Sequence, residues 1–151
     1  MDNRPIGFFD SGLGGLTAVR ALRRMLPDEN IIYFGDSVNA PYGTRDREDL
    51  IRLARANTAF LQSFDCKAVL VACGTVSTNA MDVLRAEFDV PFFDMLEAAC
   101  RTAVQRTRTG RIAVIATEAT IRKDAFARRL KQLDANVECF SKACQSLVTV
   151  A

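Results

Sequence analysis

The side chains best suited to chemistry in this sequence are a thiol, a carboxylate and a few hydroxyls, each standing where an apolar run stops. Cys73 follows Val69-Leu70-Val71-Ala72 and precedes Gly74-Thr75. At the end of a buried strand and the head of a helix, its sulfur would meet unpaired N–H groups and the positive end of the helix dipole. Both favour an anion and can lower a thiol pKa from its ordinary value of about 8.5. The bland alternative for a lone cysteine in such a place is a small buried hydrophobe. Asp10 and Ser11 end another apolar run, Ile6 to Phe9. A carboxylate there could move a proton or simply cap the next helix, and Ser11 carries the same ambiguity. Asp36 closes a third run, and the Pro41-Tyr42-Gly43 stretch after it reads by itself as an ordinary turn with Tyr42 half exposed.

Gly12-Leu13-Gly14-Gly15 invites a dinucleotide reading, with Asp36 about where a ribose-binding acid would sit. Two features oppose it. The third fingerprint glycine would fall at Thr17, and the carboxylate of Asp10 occupies the approach of a pyrophosphate. No Gly-Lys-Ser/Thr follows to make a phosphate loop. What remains is a glycine turn that lets strand and helix pack closely, or a small-anion site at the helix N-terminus.

The elements that would position these residues alternate regularly. Ile6 to Phe9, Ile31 to Phe34, Ala68 to Ala72, Val90 to Phe93, Ile112 to Ile115 and Val137 to Phe140 read as strands. Between them, apolar residues recur at helical spacing from Leu16 to Leu26, from about Arg47 to Phe64 and from about Thr75 to Phe88. Strands separated by such helices predict βαβ units: an α/β, three-layer fold with a mainly parallel sheet and helices on both faces. In an open α/β sheet, ligands bind outside the carboxyl ends of the strands. Asp10-Ser11, Asp36 with its loop, Cys73-Gly74-Thr75, Asp94 and Thr117 stand at those ends, so segments far apart in sequence are expected to face one crevice. A boundary is placed near residue 95, giving a first α/β unit over 1–95 and the start of a second over 96–151.

The 20 basic and 18 acidic residues are mixed along the 151, for a net charge of +2, and no basic cluster interleaves with aromatics as nucleic-acid binding would require. The arginines between Arg101 and Arg111 read as a solvated helix end and a turn. No stretch is apolar enough to span a bilayer, and the first residues carry no signal-peptide pattern, so no membrane role and a cytoplasmic location are expected. Five cysteines without a CxxC pair suit reduced thiols. The chain has no histidine, which removes His-based metal sites and Cys-His or Ser-His pairs; no metal is expected.

Taken in register, Phe9-Asp10-Ser11-Gly12-Leu13-Gly14-Gly15-Leu16, Gly35-Asp36, Pro41-Tyr42-Gly43-Thr44 and Ala72-Cys73-Gly74-Thr75 strongly resemble the N-terminal part of the glutamate racemases, of the aspartate/glutamate racemase family. Gly110-Arg111-Ile112 through Ala119-Thr120-Ile121-Arg122 continues the match. The resemblance implies a two-domain racemase fold, truncated here within the second domain. It also implies cofactor-independent interconversion of L- and D-glutamate by two cysteines on opposite faces of the substrate α-carbon, supplying D-glutamate for peptidoglycan. Cys73 matches the first base. Asp10 matches a residue that assists it and touches substrate, and Ser11, Tyr42, Gly43, Gly74, Thr75 and Thr120 match substrate contacts. The full-length protein is expected to act on a small molecule and to form a homodimer.

The sequence departs from the family in two places. The family commonly has Asn where this chain has Gly74, so only the backbone can serve there. The second cysteine, followed in the family by Thr-His, has no counterpart here, since neither Cys139 nor Cys144 carries that motif. The isolated chain is therefore expected to be inactive or nearly so. An aspartate-type racemase, or a noncatalytic module binding an amino acid or dicarboxylate, would fit the same crevice.

Overall fold

Continuous apolar strands followed by amphipathic stretches give the chain its layers. The structure, a computed structural model, describes residues 2–149. In chain order the elements are β1 (Ile6–Asp10), α1 (Leu16–Met25), β2 (Ile31–Gly35), α2 (Arg47–Gln62), β3 (Ala68–Val71), α3 (Gly74–Asn79), α4 (Met81–Glu87), β4 (Phe92–Asp94), α5 (Met95–Arg106), β5 (Arg111–Ala116), α6 (Glu118–Lys123), α7 (Ala125–Leu133) and β6 (Glu138–Ala143), with short 3-10 turns at Ser37–Asn39 and Gln145–Thr149. Four strands form one sheet in the order β2-β1-β3-β4, and β5 pairs with β6 in a second. Every pairing is parallel, as the helical crossovers require.

The register sorts the side chains of the larger sheet. Gly7 lies beside Ile32 and Val69, and Phe9 beside Phe34 and Val71. This face carries the main core, in which Leu50, Leu53 and Leu61 of α2 meet Val76 of α3, Leu84 of α4 and Ala80 between the two. Asp46 starts α2 by accepting the Asp49 N–H at 2.8 Å, satisfying one of the free donors of its first turn. The opposite face is thinly covered. No residue of α1 is buried despite its apolar stripe. An apolar groove of about 570 Å³ remains there, lined by Ile6, Leu70 and Phe93 of the sheet, Leu22 of α1, Leu26 just after it and the start of α5. The smaller sheet packs one face on α5 and α7, around Cys100, Leu130 and Val137. No helix among the described residues is long and apolar enough to cross a membrane.

Two elements differ from their sequence expectation. The helix expected from about Thr75 to Phe88 is broken at Ala80 into α3 and α4. The cause is the run Ser77-Thr78-Asn79, whose side chains bond to backbone: Thr78 Oγ1 donates to the Gly74 and Thr75 carbonyls, and Asn79 Nδ2 to the Thr75 carbonyl at 2.9 Å. The last strand runs past Phe140 to Ala143, because Ser141 and Lys142 face solvent and hide its continuation from an apolar pattern.

Gly15 marks the closest approach of α1 to the sheet. A Cβ there would lie 2.8 Å from Ala72 Cβ and 3.0 Å from Asp10 Cβ. Gly15→Ala should therefore cost about 1–3 kcal/mol, read as a lower urea midpoint with an unchanged slope.

Candidate functional site

The carboxyl ends of both sheets open onto one cleft of about 790 Å³. Its wall from the larger sheet is Asp10 to Gly14, Ala40 to Gly43 and Thr75, and the facing wall is Ile115 to Thr117 with Cys144, Gln145 and Leu147. The strand-end rule thus brings Asp10, Ser11, Tyr42, Gly43 and Thr75 together. Asp94, also at a strand end, is instead the cap of α5, where it accepts the Glu97 N–H.

Asp10 is 8% exposed, and the turn after β1 is built around its carboxylate. Oδ1 accepts the Ser11 N–H and Oδ2 the Gly15 N–H, both at 2.8 Å. The anion at the head of α1 is therefore supplied by the chain itself, which joins the two readings of the glycine turn and leaves no place for a pyrophosphate. Ser11 Oγ sits 3.5 Å from Asp10 Oδ1 and accepts from the Cys73 thiol at 3.6 Å, so thiol, hydroxyl and carboxylate form a line.

Cys73 caps α3 and is 4% exposed. The expectation of a lowered thiol pKa is corrected here. Burial pushes the thiol up, the charge of Asp10 adds to the rise, and backbone N–H bonds from Val76 and Ser11, with the Ser11 hydroxyl, only oppose it. A six-residue helix offers too few aligned dipoles to reverse the loss of water. Tyr33, donating its hydroxyl to the Gly12 carbonyl at 2.6 Å, is pushed up to about 12 by burial and by the charges of Asp10 and Cys73.

Tyr42 is not half exposed but buried, at 1%. Its hydroxyl donates to Asp36 Oδ2 at 2.5 Å and accepts from Asn57 Nδ2 at 3.0 Å. Burial first and the Asp36 carboxylate next push the phenol up. Asp36 also accepts from Asn39 Nδ2, so this acid, which stands about where a dinucleotide fold would put its ribose ligand, anchors the loop that carries Tyr42 and Gly43. A buried tyrosine needs a partner for its hydroxyl, and only that demand could have pointed to Asp36.

Hydroxyls tie the two sheets together under the cleft. Thr75 Oγ1 and Thr117 Oγ1 lie 3.0 Å apart, and Thr117 Oγ1 donates to Thr120 Oγ1 at 2.9 Å. Thr120 is 3% exposed, one hydroxyl behind the lining. The Ala119 N–H donates to the Gly43 carbonyl at 2.9 Å, which fastens the Tyr42 loop to the head of α6. Gly74 is exposed and lies outside the lining. Sequence reasoning placed Thr117 at a strand end without giving it a role, and missed Cys144 and Gln145 because β6 was ended too early. Gln145 Oε1 is buried against Gly43 without a hydrogen-bond partner.

Comparison with known proteins gives this geometry a context. Residues 16–151 match the family model described as Asp/Glu/hydantoin racemase. The glutamate racemase of Lactococcus lactis subsp. lactis is 41% identical over 150 residues, covering 99% of this chain and 55% of that protein. That of Chlorobium phaeobacteroides is 45% identical over 148 residues, covering 97% of this chain and 54% of the relative. The chain spans about half the length of the curated relatives it matches. Among solved structures, glutamate racemase isoform RacE1 from Bacillus anthracis superposes with a TM-score of 0.95 at 35% identity, over 99% of this chain and 56% of that one. The Francisella tularensis glutamate racemase, solved in complex with D-glutamate, gives 0.91 at 38% identity over 99% of this chain and 56% of its own. The α/β fold with its mainly parallel sheet is the one seen in these structures.

Two outcomes follow from the packing and charge of the cleft. A Cβ on Gly43 would lie 2.6 Å from Thr117 Cβ, whereas one on Gly74 meets nothing within 4 Å. Gly43→Ala should lose about 1–3 kcal/mol and Gly74→Ala should stay within about 0.5 kcal/mol, both by urea denaturation. The second concerns alkaline pH, since burial raises Cys73, Cys66 and Cys100, the last to about 11. Below the ordinary thiol value of about 8.5 both folded and unfolded chains hold these protons, and the stabilisation is fully present. Above it the unfolded chain releases them first, so stability should fall between about pH 8.5 and the raised folded values, and Cys73→Ala should flatten part of that fall.

Proposed function

The chain belongs to the Asp/Glu/hydantoin racemase family, and on that premise we propose that it forms the half of a glutamate racemase that carries the first thiol base, Cys73. The observation that carries the reading is the line from the buried Cys73 thiol through Ser11 to Asp10 at the edge of a cleft walled by both sheets. The names of the curated relatives, and the D-glutamate complex of the Francisella enzyme, support glutamate as substrate.

In this reading the Cys73 thiolate takes the α-proton from one face of glutamate. The carbanion-like centre is reprotonated from the other face by a thiol outside these 151 residues, and the reverse direction exchanges the two roles. The α-proton of an amino acid is a very poor acid, so donors must stabilise the charge that develops. Ser11, Thr75 and the backbone at Gly43 supply donors for the carboxylates, with Thr120 acting through Thr117 and Gly74 standing outside the lining. Tyr42 serves by shaping the loop, because its hydroxyl is spent on Asp36. Asp10, whose charge raises the neighbouring thiol, accepts the Cys73 proton through Ser11 to leave the thiolate, and returns it after the sulfur has given its proton to the α-carbon in the reverse direction. A substrate ammonium beside Cys73 would add the positive charge that thiolate formation needs. Residues 1–95 and 96–151 are taken as parts of two domains, a division supported by the two sheets with their separate cores. The proposal includes cytoplasmic D-glutamate supply for peptidoglycan, without a cofactor, by a homodimer of the whole protein.

The test follows the α-proton by NMR in D₂O with each glutamate enantiomer, for the 151-residue chain and for the chain continued to its relatives' length. The longer protein should lose the signal, the shorter one should not, and Cys73→Ser should slow exchange by about 10²–10⁴-fold. Undiminished exchange by the Cys73→Ser protein would remove Cys73 from the mechanism. Saturable glutamate binding without exchange in the longer protein would favour a binding module, and faster exchange with aspartate an aspartate-type racemase.

A further inference from the structure

Among the described residues, one buried side-chain oxygen or nitrogen has no hydrogen-bond partner, and its residue lines the cleft: Oε1 of Gln145. Backbone sets the place of this residue. The Cys144 N–H donates to the Ala116 carbonyl at 2.9 Å, which holds the end of β6 beside β5. The Leu147 N–H donates to the Cys144 carbonyl at 3.2 Å, which bends the chain into the 3-10 turn Gln145–Thr149. The Gln145 side chain then leans into the notch left by Gly43, where a Cβ on the glycine would lie 2.9 Å from Oε1. That notch supplies no donor, so the carbonyl has lost its water without compensation and gives up no hydrogen bond by turning toward the cleft. The other side-chain acceptors of the wall are engaged. Asp10 holds two backbone N–H groups, the Tyr42 hydroxyl accepts from Asn57, and Thr75 and Thr117 share a hydrogen bond. The described lining residues include neither lysine nor arginine, so a cationic group entering the cleft meets only the charge of Asp10, which attracts it.

We propose that Gln145 is a specificity-determining residue of the cleft, whose side-chain carbonyl accepts a hydrogen bond from the ammonium group of an amino acid and so favours amino acids over diacids that lack the amine. An ammonium brings only donors, which is what an unpaired carbonyl requires. A diacid brings only acceptors and leaves that carbonyl unpaired. A hydrogen bond from a charged donor is among the stronger ones, and the gain is larger where the acceptor starts desolvated and unbonded. The seam made by Gly43, Thr117 and Thr75 leads from the amide toward the strand end that carries Cys73, so the contact lies on the wall facing the thiol's own sheet. The inference rests on the amino-acid ligand of the racemase reading, and not on the proton transfer.

Calorimetric titration with L-glutamate and with glutarate, the same diacid without the amine, provides the test, on the chain continued to its relatives' length and on its Q145M and Q145E variants. Q145M keeps the length of the side chain and removes the acceptor, whereas Q145E keeps an acceptor and removes the amide donors. Q145M should bind L-glutamate at least about tenfold more weakly than the parent, Q145E should bind it more tightly than Q145M, and glutarate should bind the parent and Q145M alike. The urea midpoint of Q145M should be no lower than the parent's, since an unpaired buried oxygen has gone, so its weaker binding is not a folding defect. Equal affinity of Q145M and the parent for L-glutamate would overturn the proposal, as would an equal loss for glutarate. Binding of L-glutamate by Q145E below that of Q145M would overturn it too, that being the order expected of an amide that donates to a carboxylate. Exchange of the α-proton in D₂O is followed on the same samples. Affinities in the expected order without exchange would keep Gln145 and remove the racemase reading, and exchange with no dependence of binding on residue 145 would do the reverse.

Discussion

The site depends on one buried carboxylate. Asp10 is held by the N–H groups of Ser11 and Gly15, and through them it fixes where β1 stops, where α1 starts and how near the helix comes to the sheet. Both oxygens being occupied by backbone, the carboxylate cannot turn away, and its charge stays beside the sulfur of Cys73. That proximity is costly for a thiolate and favours the neutral thiol. A carboxylate free to rotate would serve the turn and the thiol less well.

The cleft is a joint between two sheets rather than a hole in one. Its continuity depends on short contacts across the seam: Thr75 with Thr117, and the Gly43 carbonyl with the Ala119 N–H. Tyr42 reaches the seam only because Asp36 and Asn57 satisfy its hydroxyl inside the protein. Residues distant from the α-carbon of any substrate therefore set the width of the cleft. A change at Asp36 would act on the loop geometry.

Much of this was legible in the sequence, and what was not has a physical reason. The mainly parallel strands and the common crevice followed from apolar runs separated by amphipathic ones, because parallel strands are buried and show it in composition. Asp10, Ser11 and Thr75 were found at strand ends for the same reason, and Gly43 in the loop that follows one. The thiol pKa was read in the wrong direction, since sequence displays the helix start but not how completely water is excluded from Cys73. Tyr42 looked exposed because a Pro-Tyr-Gly turn does not reveal a buried acid at Asp36. Cys144 and Gln145 were missed because β6 ends in polar residues, and the break at Ala80 because competing side-chain bonds leave the helical period intact.

The apolar groove between α1 and β4 has a consequence of its own. With Leu22, Leu26, Leu70 and Phe93 lining it and a net charge of only +2, the chain has exposed adhesive surface and little long-range repulsion. Anything that covers the groove, including a second copy of the chain, binds the folded form in preference to the unfolded one. Measured stability then becomes a property of the sample as well as of the molecule, rising with protein concentration by mass action.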